Sequence, residues 1–258
     1  MPSAAQLKAG DPADLESLPT SNLKCMSCAG DEVLEALRVL GKAGTNPVAQ
    51  VLRHQGEFIE LDHYPKGDIY DDETGAQYYY HAHRAETGEH GHFHTFLRAK
   101  GMPSGIEPAP YAGDAARPLG EDAISHLVAI AMDRSGLPIG LFTTNRWVTG
   151  ETFYAADDVL AMLDRFAVDH AHPCLATNRW VTALLRLFRP QIEVLLWKRD
   201  VAIHDWQRGN AGVDVFEDRR LEITSELPID IDQQIARVDA ALKMRVGVGD
   251  RRDGAFPE

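Results

Sequence analysis

Five of the eleven histidines fall between Gln77 and Arg98, in the stretch QYYYHAHRAETGEHGHFHTFLR, and their spacing restricts what this stretch can become. Ala85-Glu86-Thr87-Gly88 reads as a four-residue hairpin loop ending in the glycine that supplies a positive φ. Strand side chains alternate between faces, so that turn sets a register. Arg84 opposes Glu89 as an ion pair, His83 opposes His90, His81 opposes His92 and Tyr79 opposes His94. All five imidazoles are then expected on one face. The other face carries Tyr78, Tyr80, Ala82, Gly91, Phe93, Thr95 and Leu97, an apolar surface suited to a core.

Directly opposed strand residues have Cβ atoms roughly 4.5 to 5.5 Å apart, which lets two imidazoles converge on one ion about 2.0 to 2.1 Å from each nitrogen. The expected ligand pool is His81, His83, His92 and His94, with His90 outside it. A divalent transition metal, zinc or iron, is the expected cofactor, because imidazole suits such ions and an open coordination position activates water or substrate. Glu89 is expected to point to the opposite face, which leaves Glu60, Asp62 and Glu151 as candidate carboxylates. The competing account is a hydrated strand face with no ion. A one-residue slip of register would divide the cluster between the faces.

Three resemblances attach to these residues. His90-Gly91-His92-Phe93-His94-Thr95-Phe96 is similar to the histidine-triad motif of nucleotidyl hydrolases and transferases, which implies His92 as a nucleophile on phosphorus and no metal. Gly91 and Thr95 stand where that family has apolar side chains. His81-Ala82-His83 looks loosely like the first cupin motif, without its glutamate spacing or a second motif. From Tyr78 to about Asp200 the chain resembles a bacterial family of unknown function, a likeness that implies no activity.

Composition narrows the partners. The formal charge of −13 over 258 residues argues against an electrostatic nucleic-acid binder, which needs concentrated Lys and Arg. Three cysteines, Cys25, Cys28 and Cys174, are too few for a disulfide framework, and a reducing cytoplasm is the expected setting. The N-terminus lacks the pattern of a signal peptide, and no apolar run approaches the roughly 20 residues that span a bilayer.

Period and punctuation give the fold class. Residues 1–30 are polar and read as a flexible segment, residues 31–245 as a single α+β domain, and 246–258 as a flexible tail. Val33, Leu34, Leu37 and Leu40 predict a helix opening near Asp31, and Asn46-Pro47 caps a second. Phe58 to Tyr64 alternates as a strand before a polar loop from Lys66 to Gly75. His126 to Asp133 and Ile139 to Asn145 form a second hairpin, and Leu221 to Thr224 a last strand. Helical stripes follow from Val159, Trp180, Ile192 and Ile231. The expected architecture is an antiparallel sheet of about five strands with helices packed on one face and a helical C-terminal half.

The hexapeptide TNRWVT occurs at Thr144 to Thr149 and again at Thr177 to Thr182. It reads as a duplicated unit whose arginines, Arg146 and Arg179, hold an anionic small-molecule substrate, since a guanidinium grips carboxylate or phosphate at two points. The alternative is that the asparagines cap turns, the tryptophans fill the core and the arginines pair with surplus acids. Glu151, kept in one copy only, is a candidate general acid or base alongside His92. Three functions are open at this point: a metal-dependent hydrolase or oxygenase, a metal-independent histidine-triad-like nucleotidyl enzyme, and a metal- or haem-binding protein without turnover.

Overall fold

The computed structural model of the chain describes residues 14–84 and 88–249. Six strands form one antiparallel sheet in sequence order: β1 (Tyr64–Tyr70), β2 (Ala76–His81), β3 (Gly91–Arg98), β4 (Ile124–Met132), β5 (Pro138–Thr144) and β6 (Ile223–Pro228). Each strand from β2 to β5 runs back beside its predecessor. Only the step from β5 to β6 encloses a long helical excursion. The tight turn between β4 and β5 shows its local chemistry: Asp133 Oδ1 accepts the amide hydrogens of Ser135 and Leu137, both at 2.8 Å, and Gly136 takes φ 77°.

The helices are α1 (Thr20–Lys42), α2 (Pro47–Leu52), a single turn α3 (Arg146–Thr149), α4 (Ala156–Leu163), α5 (Leu175–Leu187), α6 (Arg189–Gly209) and α7 (Ile231–Gly249). Asn46 caps α2 by accepting the Ala49 amide at 2.8 Å, with Pro47 at the first position, as its sequence predicts. The main core lies between one face of the sheet and the helices. Tyr78, Tyr80, Phe93, Leu97, Val128, Ile130 and Leu141 meet Val159, Met162, Trp180, Val181, Leu184, Leu195 and Leu196 there. α1 packs outside α5 and reaches α7.

The α+β class and the antiparallel sheet agree with the sequence reading, with six strands instead of about five. Three boundaries differ. α1 begins at Thr20 rather than near Asp31, because Leu23, Met26 and Ala29 extend the buried stripe of Val33 and Leu40 backward through a segment that looks polar on average. Phe58 to Tyr64 is not a strand: Phe58, Ile59 and Leu61 are exposed, and Leu61 takes φ 70°. The Tyr64 hydroxyl gathers that loop by accepting the Ile59 amide at 2.7 Å, and the first strand is displaced into Tyr64–Tyr70, where a loop was expected. β6 starts at Ile223 and runs to Pro228, beyond the expected Leu221 to Thr224. Of the expected flexible ends, residues 1–13 and 250–258 lie outside the described residues, whereas 14–30 are largely helical and α7 continues to Gly249.

Candidate metal centre

The turn residues Ala85, Glu86 and Thr87 lie outside the described residues, but the ladder they join has the anticipated register. Tyr79 pairs with His94, Tyr80 with Phe93 and His81 with His92. Alternation therefore puts Tyr79, His81, His92, His94 and Phe96 on the face away from the helices. On the neighbouring strand Ala131 stands beside His92 and Ala129 beside His94, small residues that leave space for the imidazoles.

His81, His92 and His94 are buried, and one nitrogen from each lies within 4.8 Å of the others. The Nε2 atoms of His81 and His92 face each other at 2.7 Å. Two nitrogens bound to one ion at about 2.0–2.1 Å stand roughly 2.9 to 3.4 Å apart, so a small side-chain adjustment turns this pair into a chelating edge. His94 Nε2 is buried with no hydrogen-bond partner. Such atoms are few in folded proteins because each carries its desolvation cost uncompensated.

The outer nitrogens are held. His92 Nδ1 contacts the Glu89 carboxylate, and His94 Nδ1 lies 2.9 Å from His126 Nε2. A carboxylate accepting from Nδ1–H leaves the Nε2 lone pair of His92 directed into the cluster, the tautomer a ligand needs. Burial also keeps these rings neutral. It pushes His81 down to about 2 and His126 to about 3, and holds His92 and His94 well below the ordinary imidazole range, with neighbouring imidazoles as further causes for the three cluster histidines.

Glu89 and His126 were not anticipated in these roles. The ladder ends at the pair His81 and His92, so Glu89 is released from strand alternation and reaches His92 instead of pointing to the opposite face. It also lies 3.6 Å from Arg84, the cross-strand ion pair the register implies. His126 is brought in by a β-bulge. From Phe93 to Thr95 the pairing with β4 is regular, but between Thr95 and Phe96 it shifts by one, so Phe96 pairs with His126. Counting back by twos from Ile130 and Val128 puts His126 on the core face; the bulge turns it onto the histidine face. No single-residue signal in the sequence marks that shift.

The remaining expected residues divide. His83 lies just past the ladder, partly exposed, with its ring 5.0 Å from that of His81 and 5.1 Å from that of His92. His90 corrects the expectation that all five imidazoles share a face: its Nδ1 lies 2.6 Å from the Tyr80 hydroxyl, on the core side. Gly91 allows this, since a Cβ there would overlap the Tyr80 hydroxyl and the His81 carbonyl. Glu151 is buried, accepts the His126 amide at 2.5 Å, and is raised to about 7, chiefly by burial. It supports the strand that presents His126. Glu60 is exposed in the preceding loop, and among the described residues the only convergent ligand group is the three-histidine one.

Arg146 and Arg179 do not share a pocket. The Arg146 guanidinium is buried, paired with Glu217 and bonded to the Ala116 carbonyl, and its Nε donates to the Glu151 carbonyl at 3.1 Å. Arg179 lies exposed on α5, with Nε 2.5 Å from Glu32 of α1.

The family profile described as "Domain of unknown function (DUF6969)" matches residues 27–229, most of the chain and the whole of this site. The protein belongs to that family. Comparison with curated proteins and with solved structures returned no match. No helix among the described residues is long and apolar enough to cross a membrane.

Proposed function

We propose that this DUF6969 protein is a metal-dependent enzyme whose divalent transition ion is held by His81, His92 and His94, and that it acts on a small anionic substrate. The observation that carries the reading is the buried, unpartnered Nε2 of His94, on a ring 5.0 and 4.8 Å from those of His81 and His92, whose own Nε2 atoms stand 2.7 Å apart. A hydrated strand face would pair that atom with solvent. The outer contacts of His92 and His94 with Glu89 and His126 support it further, because ligating histidines have their second nitrogen fixed in this way.

Three neutral imidazoles leave the ion's double positive charge undiminished, whereas a carboxylate in the first shell would offset part of it. That favours zinc and hydrolysis through an activated water. Iron or copper in the same ligand set would favour oxygen-dependent chemistry instead. Glu89, one shell out, would orient His92, and Glu151 would steady His126 from behind.

Elemental analysis of tag-free protein tests this. One equivalent of zinc or iron is expected, falling to background in His81→Ala, His92→Ala and His94→Ala. Wild-type protein that retains no metal after exposure to zinc and iron(II), or three alanine variants that keep it, would refute the centre. Metal-free protein that hydrolyses nucleotides in a His92-dependent way would establish the histidine-triad reading in its place. A stably bound metal with no exchangeable water would mark a binding protein.

A further inference from the structure

Beside the histidine cluster, over β4, β5 and β6, lies a cleft of about 270 Å³. Its floor is open because two small residues, Ala131 and Gly140, stand opposite each other on adjacent strands. Phe142 and Pro228 give it an apolar wall, and Glu89 and Phe142 join it to the histidines, the Phe142 ring lying 5.0 Å from that of His92.

Arg84 commands this cleft. Its guanidinium sits 4.7 Å over the Phe142 ring, 3.6 Å from Glu89 and 3.7 Å from Glu226. The two carboxylates are not equivalent. Glu89 is buried and also engages His92, so it is fixed. The Glu226 side chain is 67% exposed, and its distance from Arg84 exceeds a hydrogen bond. A carboxylate this exposed and this far from its partner keeps most of its hydration and adds little to the pair. One of the contacts of this guanidinium is therefore with a carboxylate that a better-placed one can displace.

We propose that this cleft binds a small carboxylic acid with a short apolar body, its carboxylate replacing Glu226 on Arg84 and its body lying against Phe142 and Pro228. The size is right for a small guest: ligand pockets for drug-sized molecules run from about 300 Å³ upward. A planar guanidinium grips a carboxylate at two points, and an arginine stacked on an aromatic ring is pre-organised to do so. The proposal names the substrate class for the metal centre and rests on that reading for its catalytic meaning, while the binding itself needs only the cleft.

Benzoate is the probe, titrated into full-length protein as purified and followed by amide ¹H–¹⁵N spectra, with metal content measured in parallel. Saturable shifts are expected at Gly140, Phe142 and Leu227. Arg84→Ala should weaken binding at least tenfold, whereas Glu226→Gln, a surface change that leaves the fold intact, should tighten it severalfold. Inorganic phosphate should bind more weakly than benzoate. Absence of shifts at millimolar benzoate, tighter binding of phosphate, or weaker benzoate binding in Glu226→Gln would overturn the proposal. Benzoate binding to protein that takes up no metal would uphold the cleft and refute the metal centre; metal without benzoate binding would do the reverse.

Discussion

The two faces of β3 are equally dry and differently built. Phe93 on one face is 0% exposed, and His92 and His94 on the other are each 1% exposed. Phe93 meets Tyr80 and Trp180 at ring separations of 5.0 and 5.8 Å, and nothing on its side chain requires a partner. Even Thr95 on that face satisfies its hydroxyl, donating to the Val128 carbonyl at 2.7 Å. The histidine face pays desolvation for every ring and leaves His94 Nε2 orphaned within a group of converging ligand atoms, whereas the orphan behind Phe93, Trp180 Nε1, lies in no such group. The first face holds the fold together, and the second uses that rigidity to keep groups where an unsupported chain would hydrate them.

The largest effect expected from this difference is on acid stability. His81 is pushed down to about 2 and His126 to about 3, and His92 and His94 lie well below the ordinary range. As pH falls below about 6.5 the unfolded chain takes up protons at these four positions and the folded chain does not. Each therefore removes about 1.4 kcal/mol of stability per pH unit. Glu151 works the other way: raised to about 7, it protonates first in the folded state and adds stability as pH falls from about 7 to 4.5. The net is a loss on the order of 4 kcal/mol per unit between about pH 6 and 4.5. Denaturation of metal-free protein at stepped pH measures it, and a flat profile across that window would mean that the imidazoles are hydrated.

Phe93→Ala comes next. It removes the ring that meets Tyr80 and Trp180 and should cost about 3 to 5 kcal/mol in urea denaturation. The folded fraction should bind as much metal as the wild type. Loss of metal stoichiometry in that fraction would erase the distinction between the faces. Glu89→Gln is the smallest and most diagnostic change. It keeps the shape and removes the charge behind His92, and should weaken metal affinity about 10- to 100-fold, by competition with a chelator, with the folded state retained. Unchanged affinity would show that Glu89 does not support a ligand.

The repeated TNRWVT shows how far the sequence can be read. In the first copy Asn145 ends β5, accepts the Arg146 amide at 2.8 Å and starts the single turn of α3; in the second, Asn178 lies inside α5 and accepts from the Tyr78 hydroxyl at 2.5 Å. Trp147 is partly exposed and donates to the Leu221 carbonyl at 2.9 Å, while Trp180 fills the core. Arg146 is buried against Glu217, and Arg179 is 56% exposed. RWVT is helical in both copies, but in the first Thr144 still belongs to β5 and Gly150 stops the turn at φ 64°, whereas in the second the whole hexapeptide lies inside a helix that Ala183, Leu184 and Leu185 continue. The expected anion pocket built from both arginines required a spatial symmetry that these neighbours do not impose.

By itself the sequence determined the hairpin register, and with it the joint placement of His81, His92 and His94, because side-chain alternation and turn length are local and leave little choice. It also determined the antiparallel class, through short turn-marked connections between alternating runs. Only the tertiary structure decided that Glu89 and His126 stand behind the cluster and that Arg84 faces a cleft. Those placements depend on where a ladder stops and where it bulges, and both are set by packing between strands that no local pattern records.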